Sequence, residues 1–92
     1  MDRGLVIDGT PYMGFTVVPN SNRISDVKEK GPAEKAGLKK KDRIVGIDGT
    51  KIQTYDELER AIAELKPFQK TTFKIKRRSK TLSIEVVVGE SN

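Results

Sequence analysis

The sequence of 92 residues contains no cysteine and no histidine. Without cysteine the chain can form neither a disulfide nor a thiolate metal site, and the redox compartment is left open. Without histidine it cannot build a Ser-His-Asp triad, a Cys-His pair or most zinc sites. An enzyme made of this chain alone would depend on carboxylates, lysine or serine. We therefore expect a chain without catalytic residues, metal or cofactor.

The sequence also has no apolar run long enough to cross a bilayer. Residues 1–4 lack the basic start and the apolar run of a signal peptide. The length fits one domain over residues 1–92, with a core at about residues 4–89. We expect this domain to be part of a larger protein and to be monomeric when isolated. A cytosolic chain remains the alternative.

Seven short segments carry the apolar and β-branched residues that are typical of strands. They are residues 5–7, 14–18, 24–27, 43–47, 51–52, 72–77 and 82–88. Asp8-Gly9 and Asp48-Gly49 predict tight turns, and a further turn is expected near residues 78–80. Lysines alternate with Phe73 and Ile75, which indicates a hairpin with one face in water.

Two helices are marked by their end signals. Pro32 suits the first position of a short helix, and Gly37 suits the left-handed residue that ends it. Thr54 and Glu57 form a capping box at the start of a longer helix over residues 54–66, which Pro67 ends. The order of elements predicts an α+β, mainly β fold: a small antiparallel barrel or sandwich of five to six strands, capped by two helices.

Three motifs resemble the PDZ domain, in the form found in bacteria. Residues 31–38, GPAEKAGL, are similar to its G-S-P-A-x-x-A-G-L segment, and residues 42–49, DRIVGIDG, are similar to its G-D-x-I-x-x-I-N-G segment. Residues 12–15, YMGF, resemble its carboxylate-binding loop in the aromatic-first form of HtrA-type proteases. The resemblance covers nearly the whole chain. Lys41 stands where the family usually has glycine, so this position would be strained if it needs a positive φ.

The resemblance implies a module that binds a C-terminal or extended peptide of another protein by β-strand addition. The loop would consist of Tyr12, Met13, Gly14 and Phe15, and the N–H groups of the last three would hold the ligand's carboxylate. The ligand would pair with the strand formed by Phe15, Thr16, Val17 and Val18. Of these, Phe15 and Val17 would line the pocket for its last side chain.

The second wall of the groove would be the helix over residues 54–66. Matching its start to the second helix of the family makes Tyr55, Glu59 and Ile62 face the groove, because positions three and four apart share one face. Tyr55 replaces the histidine of many eukaryotic members, so their preference for serine or threonine does not transfer. We expect an apolar residue at the C-terminal end of the ligand. As a hypothesis, Glu59 favours a basic residue at a ligand position further from that end.

The resemblance implies a parent protein in which the domain recognises substrates or regulates a protease. The bacterial cell envelope or periplasm is the compartment that such a parent favours. Two alternatives remain open. One is a scaffold whose groove is unused. The other is binding of an anionic surface, lipid or nucleic acid, through the basic hairpin at residues 74–80; the chain carries a net charge of +5, but this hairpin lacks aromatic residues for base stacking.

Overall fold

The computed structural model describes residues 10–91 of the chain. The strand expected at residues 5–7 and the turn at Asp8-Gly9 lie outside this range. Within it, the elements follow one another as β1 (Thr10–Tyr12), β2 (Phe15–Val17), β3 (Ile24–Val27), α1 (Pro32–Ala36), β4 (Arg43–Ile47), β5 (Thr50–Lys51), α2 (Tyr55–Ala63), β6 (Lys70–Arg77), β7 (Lys80–Val87) and β8 (Gly89–Ser91). None of the helices in this range is long and apolar enough to cross a membrane.

The strands form three antiparallel sheets. β5, β4, β6 and β7 are neighbours in that order in a sheet of four strands, while β2 pairs with β3 and β1 pairs with β8. Alternation along β6 and β7 directs Phe73, Ile75 and Val86 into the core and the intervening side chains into water. Leu58 of α2 is buried in the same core. The predicted fold class, mainly β with two helices, is confirmed.

The predicted end signals are present at both helices. Pro32 starts α1, and Gly37 ends it with a φ of 102°. The Thr54 hydroxyl accepts from the Glu57 N–H at 3.2 Å, and the Glu57 carboxylate accepts from the Thr54 N–H at 3.2 Å. This capping box fixes the start of α2, the helix that lies opposite β2 across a cleft.

Besides shifts of one or two residues at several strand ends, two features differ from the sequence prediction. The prediction that Pro67 ends the second helix is wrong, because α2 ends at Ala63. There Glu64 N–H bonds to the Ala61 carbonyl and Leu65 N–H to the Ile62 carbonyl, so the chain tightens into three-residue turns before the proline. The second difference is the β1–β8 pair, which joins Thr10 to Ser91 where only a loop was expected at residues 10–11.

A buried ion pair joins β6 to the loop before β4. The side chain of Asp42 is 2% exposed, and the Arg77 guanidinium donates to its two oxygens at 2.9 and 2.7 Å. Arg77 also donates to the Gly37 carbonyl at 2.9 Å, and the Lys39 N–H donates to Asp42 at 2.9 Å. Hydrogen bonding to Asp42 raises the pKa of Arg77, while burial acts in the opposite direction and the attraction of the carboxylate adds to the rise. This pair ties the end of α1 to the sheet.

Lys41 has a φ of 75°, the left-handed conformation that glycine adopts without cost. The strain expected at this position is therefore present, on the order of 1–2 kcal/mol for a residue with a Cβ. Its N–H donates to the Ile24 carbonyl at 2.8 Å, and Ile24 N–H donates to the Asp42 carbonyl at 2.8 Å. These two bonds hold the loop against β3 in spite of the strain.

Candidate functional site

A cleft of about 540 Å³ lies between β2 and α2. Its size is within the range of pockets that bind small ligands and peptide side chains. The residues that line it are Phe15, Thr16, Val17, Pro19, Asn20, Tyr55, Leu58, Glu59 and Ile62. The lining is mainly apolar, with Glu59 as its single charged side chain among the residues that the structure describes.

The loop at one end of the cleft turns its carbonyl groups inward. The Met13 carbonyl accepts from the Ala33 N–H of α1 at 3.0 Å, and the Gly14 carbonyl accepts from the Lys28 N–H at 2.8 Å. In a trans peptide group the C=O and the following N–H point in opposite directions. The N–H groups of Gly14 and Phe15 are therefore directed away from α1 and from β3. Two adjacent donors with this orientation can bind an anion without a charged side chain.

Gly14 is the residue that allows this loop. Its φ is 77°, a conformation that residues with a Cβ rarely adopt. A Cβ added here would lie 3.1 Å from the Pro32 Cδ and 3.3 Å from the Gly31 Cα. Because the loop approaches the start of α1 this closely, a side chain at this position would require the neighbouring atoms to shift by a few tenths of an ångström.

β2 pairs on one side only within the described residues. Thr16 is the partner of Asp26 in the ladder with β3, and the Val18 N–H donates to the Arg23 carbonyl at 2.9 Å. Because successive N–H groups of a strand point to opposite edges, those of Phe15 and Val17 face the other edge. That edge borders the cleft, so an extended peptide could add to it as a further strand.

The helical wall combines an apolar stripe with one polar pair. Leu58 is 2% exposed and forms the floor, and Ile62 is half-buried one turn further along α2. The Tyr55 hydroxyl donates to the Glu59 carboxylate at 3.2 Å. This hydrogen bond and the negative charge of Glu59 raise the pKa of Tyr55. The pair keeps a carboxylate at the rim, where it can meet a basic side chain of a ligand.

The floor of the cleft is held by aromatic packing. The ring of Phe15 meets the ring of Phe73 edge to face, with centroids 6.3 Å apart and planes at 85°. Phe73 is fully buried in β6, so Phe15 is anchored to the main sheet. The strand that borders the cleft is thereby fixed at its first residue.

The structure brings six of the predicted site residues to the cleft and leaves four outside its lining. Those that line it are Phe15, Thr16, Val17, Tyr55, Glu59 and Ile62. Met13 points into the core with 5% exposure, and Gly14 contributes backbone only. Tyr12 belongs to β1, opposite Gly89. Val18, which was predicted as part of the strand that pairs with the ligand, is 39% exposed and follows the end of β2.

Three lining residues were not predicted as site residues. Leu58 is three residues after Tyr55 and four before Ile62, so it shares their face of the helix. This helical spacing was a signal in the sequence from which Leu58 could have been predicted to line the groove. Pro19 and Asn20 form a turn after β2 in which Asn20 has a φ of 60°, and both line the cleft. No local pattern marks these two as lining residues.

The comparisons with known proteins agree with one another. The family model of the PDZ domain matches residues 11–88. A "Probable periplasmic serine endoprotease DegP-like" of Chlamydia trachomatis is 38% identical over 67 residues, 73% of this chain and 14% of the relative. A "Putative zinc metalloprotease" of Staphylococcus aureus strain N315 is 39% identical over 66 residues, 72% of this chain and 15% of the relative. The chain thus spans about one seventh of the length of these relatives.

A solved structure shares the fold. The HtrA3 PDZ domain, crystallised with a phage-derived ligand of sequence FGRWV, superposes with a TM-score of 0.72 at 16% identity. The match covers 88% of this chain and 86% of that domain. The likeness therefore extends over nearly the whole of both chains.

Proposed function

Because the chain belongs to the PDZ domain family, we propose that it binds the C-terminal end of another polypeptide in the cleft between β2 and α2. The observation that carries this proposal is the edge of β2 that pairs with no other strand among residues 10–91, beside an apolar cleft and with the N–H groups of Gly14 and Phe15 at one end. The donors suit a terminal carboxylate, and the edge suits an extended backbone. The ligand runs antiparallel to β2 with its last residue at Gly14.

The chemistry of the lining sets the selectivity of the groove. In an extended peptide, alternate side chains point the same way, so the last and the third-from-last residues face α2. Phe15, Leu58 and Ile62 favour an aliphatic or aromatic residue at the last position. The Tyr55–Glu59 pair at the rim favours lysine or arginine at the third-from-last position. Affinity is on the order of micromolar, because the interface is small and the peptide loses freedom on binding.

The relatives support a proposal for the role of the domain within a larger protein. A PDZ domain is a binding module, and the two bacterial relatives carry names from two different classes of protease. The same module accompanies serine and zinc chemistry, so its contribution is not tied to one catalytic mechanism. We propose that it selects substrates for a protease domain or regulates that domain. We place this role in the bacterial envelope, because the name of the DegP-like relative describes it as periplasmic.

An NMR titration with paired peptides tests the groove. Peptides that end in free valine or leucine should shift the amide signals of residues 13–17 and 55–62. The C-terminal amides of the same peptides should bind at least about tenfold more weakly, because a neutral amide gives up the charge-assisted hydrogen bonds of the carboxylate. Equal binding of acid and amide, or shifts confined to other residues, would contradict the proposal.

A charge swap tests the role of Glu59. Peptides with lysine at the third-from-last position should bind the wild type up to about fivefold more tightly than peptides with glutamate there, the range of an exposed ion pair. Glu59→Gln should remove this preference while affinity for a peptide with alanine there stays unchanged. Glu64→Gln is the matched control, since Glu64 is exposed directly after the end of α2 and does not line the cleft. A preference that survives in Glu59→Gln would assign selectivity to another residue.

A further inference from the structure

One end of the molecule carries a dense group of cationic side chains that the peptide groove does not use. We call it the basic tip and define it by seven exposed residues: Lys39, Lys40, Lys41, Arg43, Lys76, Arg78 and Lys80. Only the last three belong to the basic stretch that stands out in the sequence. The others come from the loop before β4 and from the start of β4 itself.

The sheet brings these two segments together. Arg43 of β4 is the ladder partner of Lys76 in β6, and Arg77 is the partner of Lys80 across the hairpin. The loop and the hairpin enclose a cleft of about 510 Å³, with Lys39, Lys40 and Lys41 on one side and Arg78 and Lys80 on the other. Like charges held this closely repel one another, so an anion bound at this end would reduce the electrostatic repulsion that is present in the free domain.

Acidic groups near the tip cancel little of this charge. The buried Asp42 carboxylate is occupied by Arg77, which is not counted in the tip. Lys40 approaches Asp26 at 3.8 Å, but both side chains are 67% exposed, and such a pair contributes little. Among the residues that the structure describes, the tip therefore keeps most of its positive charge free for an outside partner.

The composition of the tip selects the kind of partner. A stable protein interface needs a buried apolar centre. The exposed large apolar side chains of the described part of the chain are Val18, Phe68 and Val87, and none of them belongs to the tip. Binding of single-stranded nucleic acid relies on aromatic stacking, and the residues that line the tip's cleft include no aromatic side chain. Attraction to an anionic lipid surface needs only clustered lysine and arginine.

We propose that the basic tip binds the surface of a bilayer that contains anionic phospholipid. Contact through the tip leaves the peptide groove accessible. β7 runs from Lys80 at the tip to Val87, and Gly89 beyond it pairs with Tyr12 beside the carboxylate loop. At a rise of about 3.3 Å per residue, the nine residues from Lys80 to Gly89 place the hairpin side of the tip roughly 30 Å along the chain from the loop. None of the seven tip residues lines the groove, so the domain can hold a peptide while it is bound to a membrane.

Vesicle sedimentation tests the proposal. The 92-residue chain should sediment with vesicles of equimolar phosphatidylcholine and phosphatidylglycerol and stay in solution with phosphatidylcholine alone. Replacing Lys76, Arg78 and Lys80 together by glutamine should weaken the partition at least about tenfold, given a contribution on the order of fivefold per cation near the surface. The matched control replaces Lys28, Lys35 and Lys66, which are exposed outside the tip, and should bind almost as well as the wild type. Both variants lose three positive charges.

A second variant addresses the other wall of the cleft. Glutamine at Lys39, Lys40 and Lys41 should weaken the partition to a similar extent, while affinity for a groove peptide stays at the wild-type value in every variant. Equal losses in tip and control variants would overturn the proposal, since net charge alone would then explain adsorption. So would binding to both vesicle types, or retention on duplex DNA with no retention on anionic vesicles at the same ionic strength.

Discussion

Replacing Arg77 by alanine should lower the free energy of unfolding by about 3 kcal/mol, the low end of the range for breaking a buried ion pair. The variant removes both guanidinium bonds to Asp42, whose side chain is 2% exposed, and leaves its carboxylate with the Lys39 N–H as a donor. The Gly37 carbonyl loses its donor as well. Arg77 is itself 30% exposed, which is why the low end applies. Urea denaturation at neutral pH measures the effect.

The next residue provides the control. Arg78 is exposed, and its replacement by alanine removes the same type of side chain without touching Asp42, so stability should change by no more than about 0.5 kcal/mol. The double variant Asp42→Ala with Arg77→Ala should lose less than the sum of the two single variants, because neither partner is then left alone. Equal losses in Arg77→Ala and Arg78→Ala would show that the pair contributes nothing to folding.

Replacing Gly14 by alanine should abolish most peptide binding. The new Cβ would lie 3.1 Å from Pro32 and 3.3 Å from the Gly31 backbone, so the loop must move away from α1. The N–H groups of Gly14 and Phe15 would then lose the orientation set by the inward carbonyls. We expect affinity for a groove peptide to fall at least about tenfold. We also expect a loss of roughly 1–2 kcal/mol in stability, from the positive φ.

Gly49→Ala separates these two effects. Gly49 has a φ of 84° in the turn between β4 and β5, and an added Cβ there would meet no heavy atom within 4 Å. Its stability cost should be similar, and its peptide affinity should equal that of the wild type. Fluorescence anisotropy with a labelled peptide and urea denaturation give the two quantities. If Gly14→Ala binds as well as Gly49→Ala does, the loop is not the carboxylate site.

Features with a local chemical cause could be predicted from the sequence. The turn at Asp48-Gly49 depends on two adjacent residues that adopt positive φ, and both do so at 48° and 84°. The capping box depends on Thr54 and Glu57, three residues apart, and it forms as expected. The strand at residues 43–47 matches β4 at both ends. In each case the determining atoms lie within a few residues, so a single sequence contains the information.

Features that depend on distant contacts could not be predicted in the same way. The β1–β8 pair joins Thr10 to Ser91, and nothing in either segment specifies the other. The partner of Asp42 is 35 residues further along the chain, and other cations lie nearer in the sequence. The basic tip combines a loop and a hairpin that meet only because β4 and β6 are neighbours. Tertiary packing determines these features, and the hydrophobic periodicity of a single segment gives no information about which distant segment it will contact.

The shortness of β2 limits the pairing that this edge can offer to a second copy of the chain. An exposed strand edge is a template for any other chain, and long flat edges lead to aggregation. β2 is three residues long, with Gly14 in a left-handed conformation before it and Pro19, which has no N–H, shortly after it. Such an edge offers enough backbone bonds for one short peptide end and too few for a growing intermolecular sheet. A strand this short can therefore pair with a peptide without acting as a template for an extended sheet.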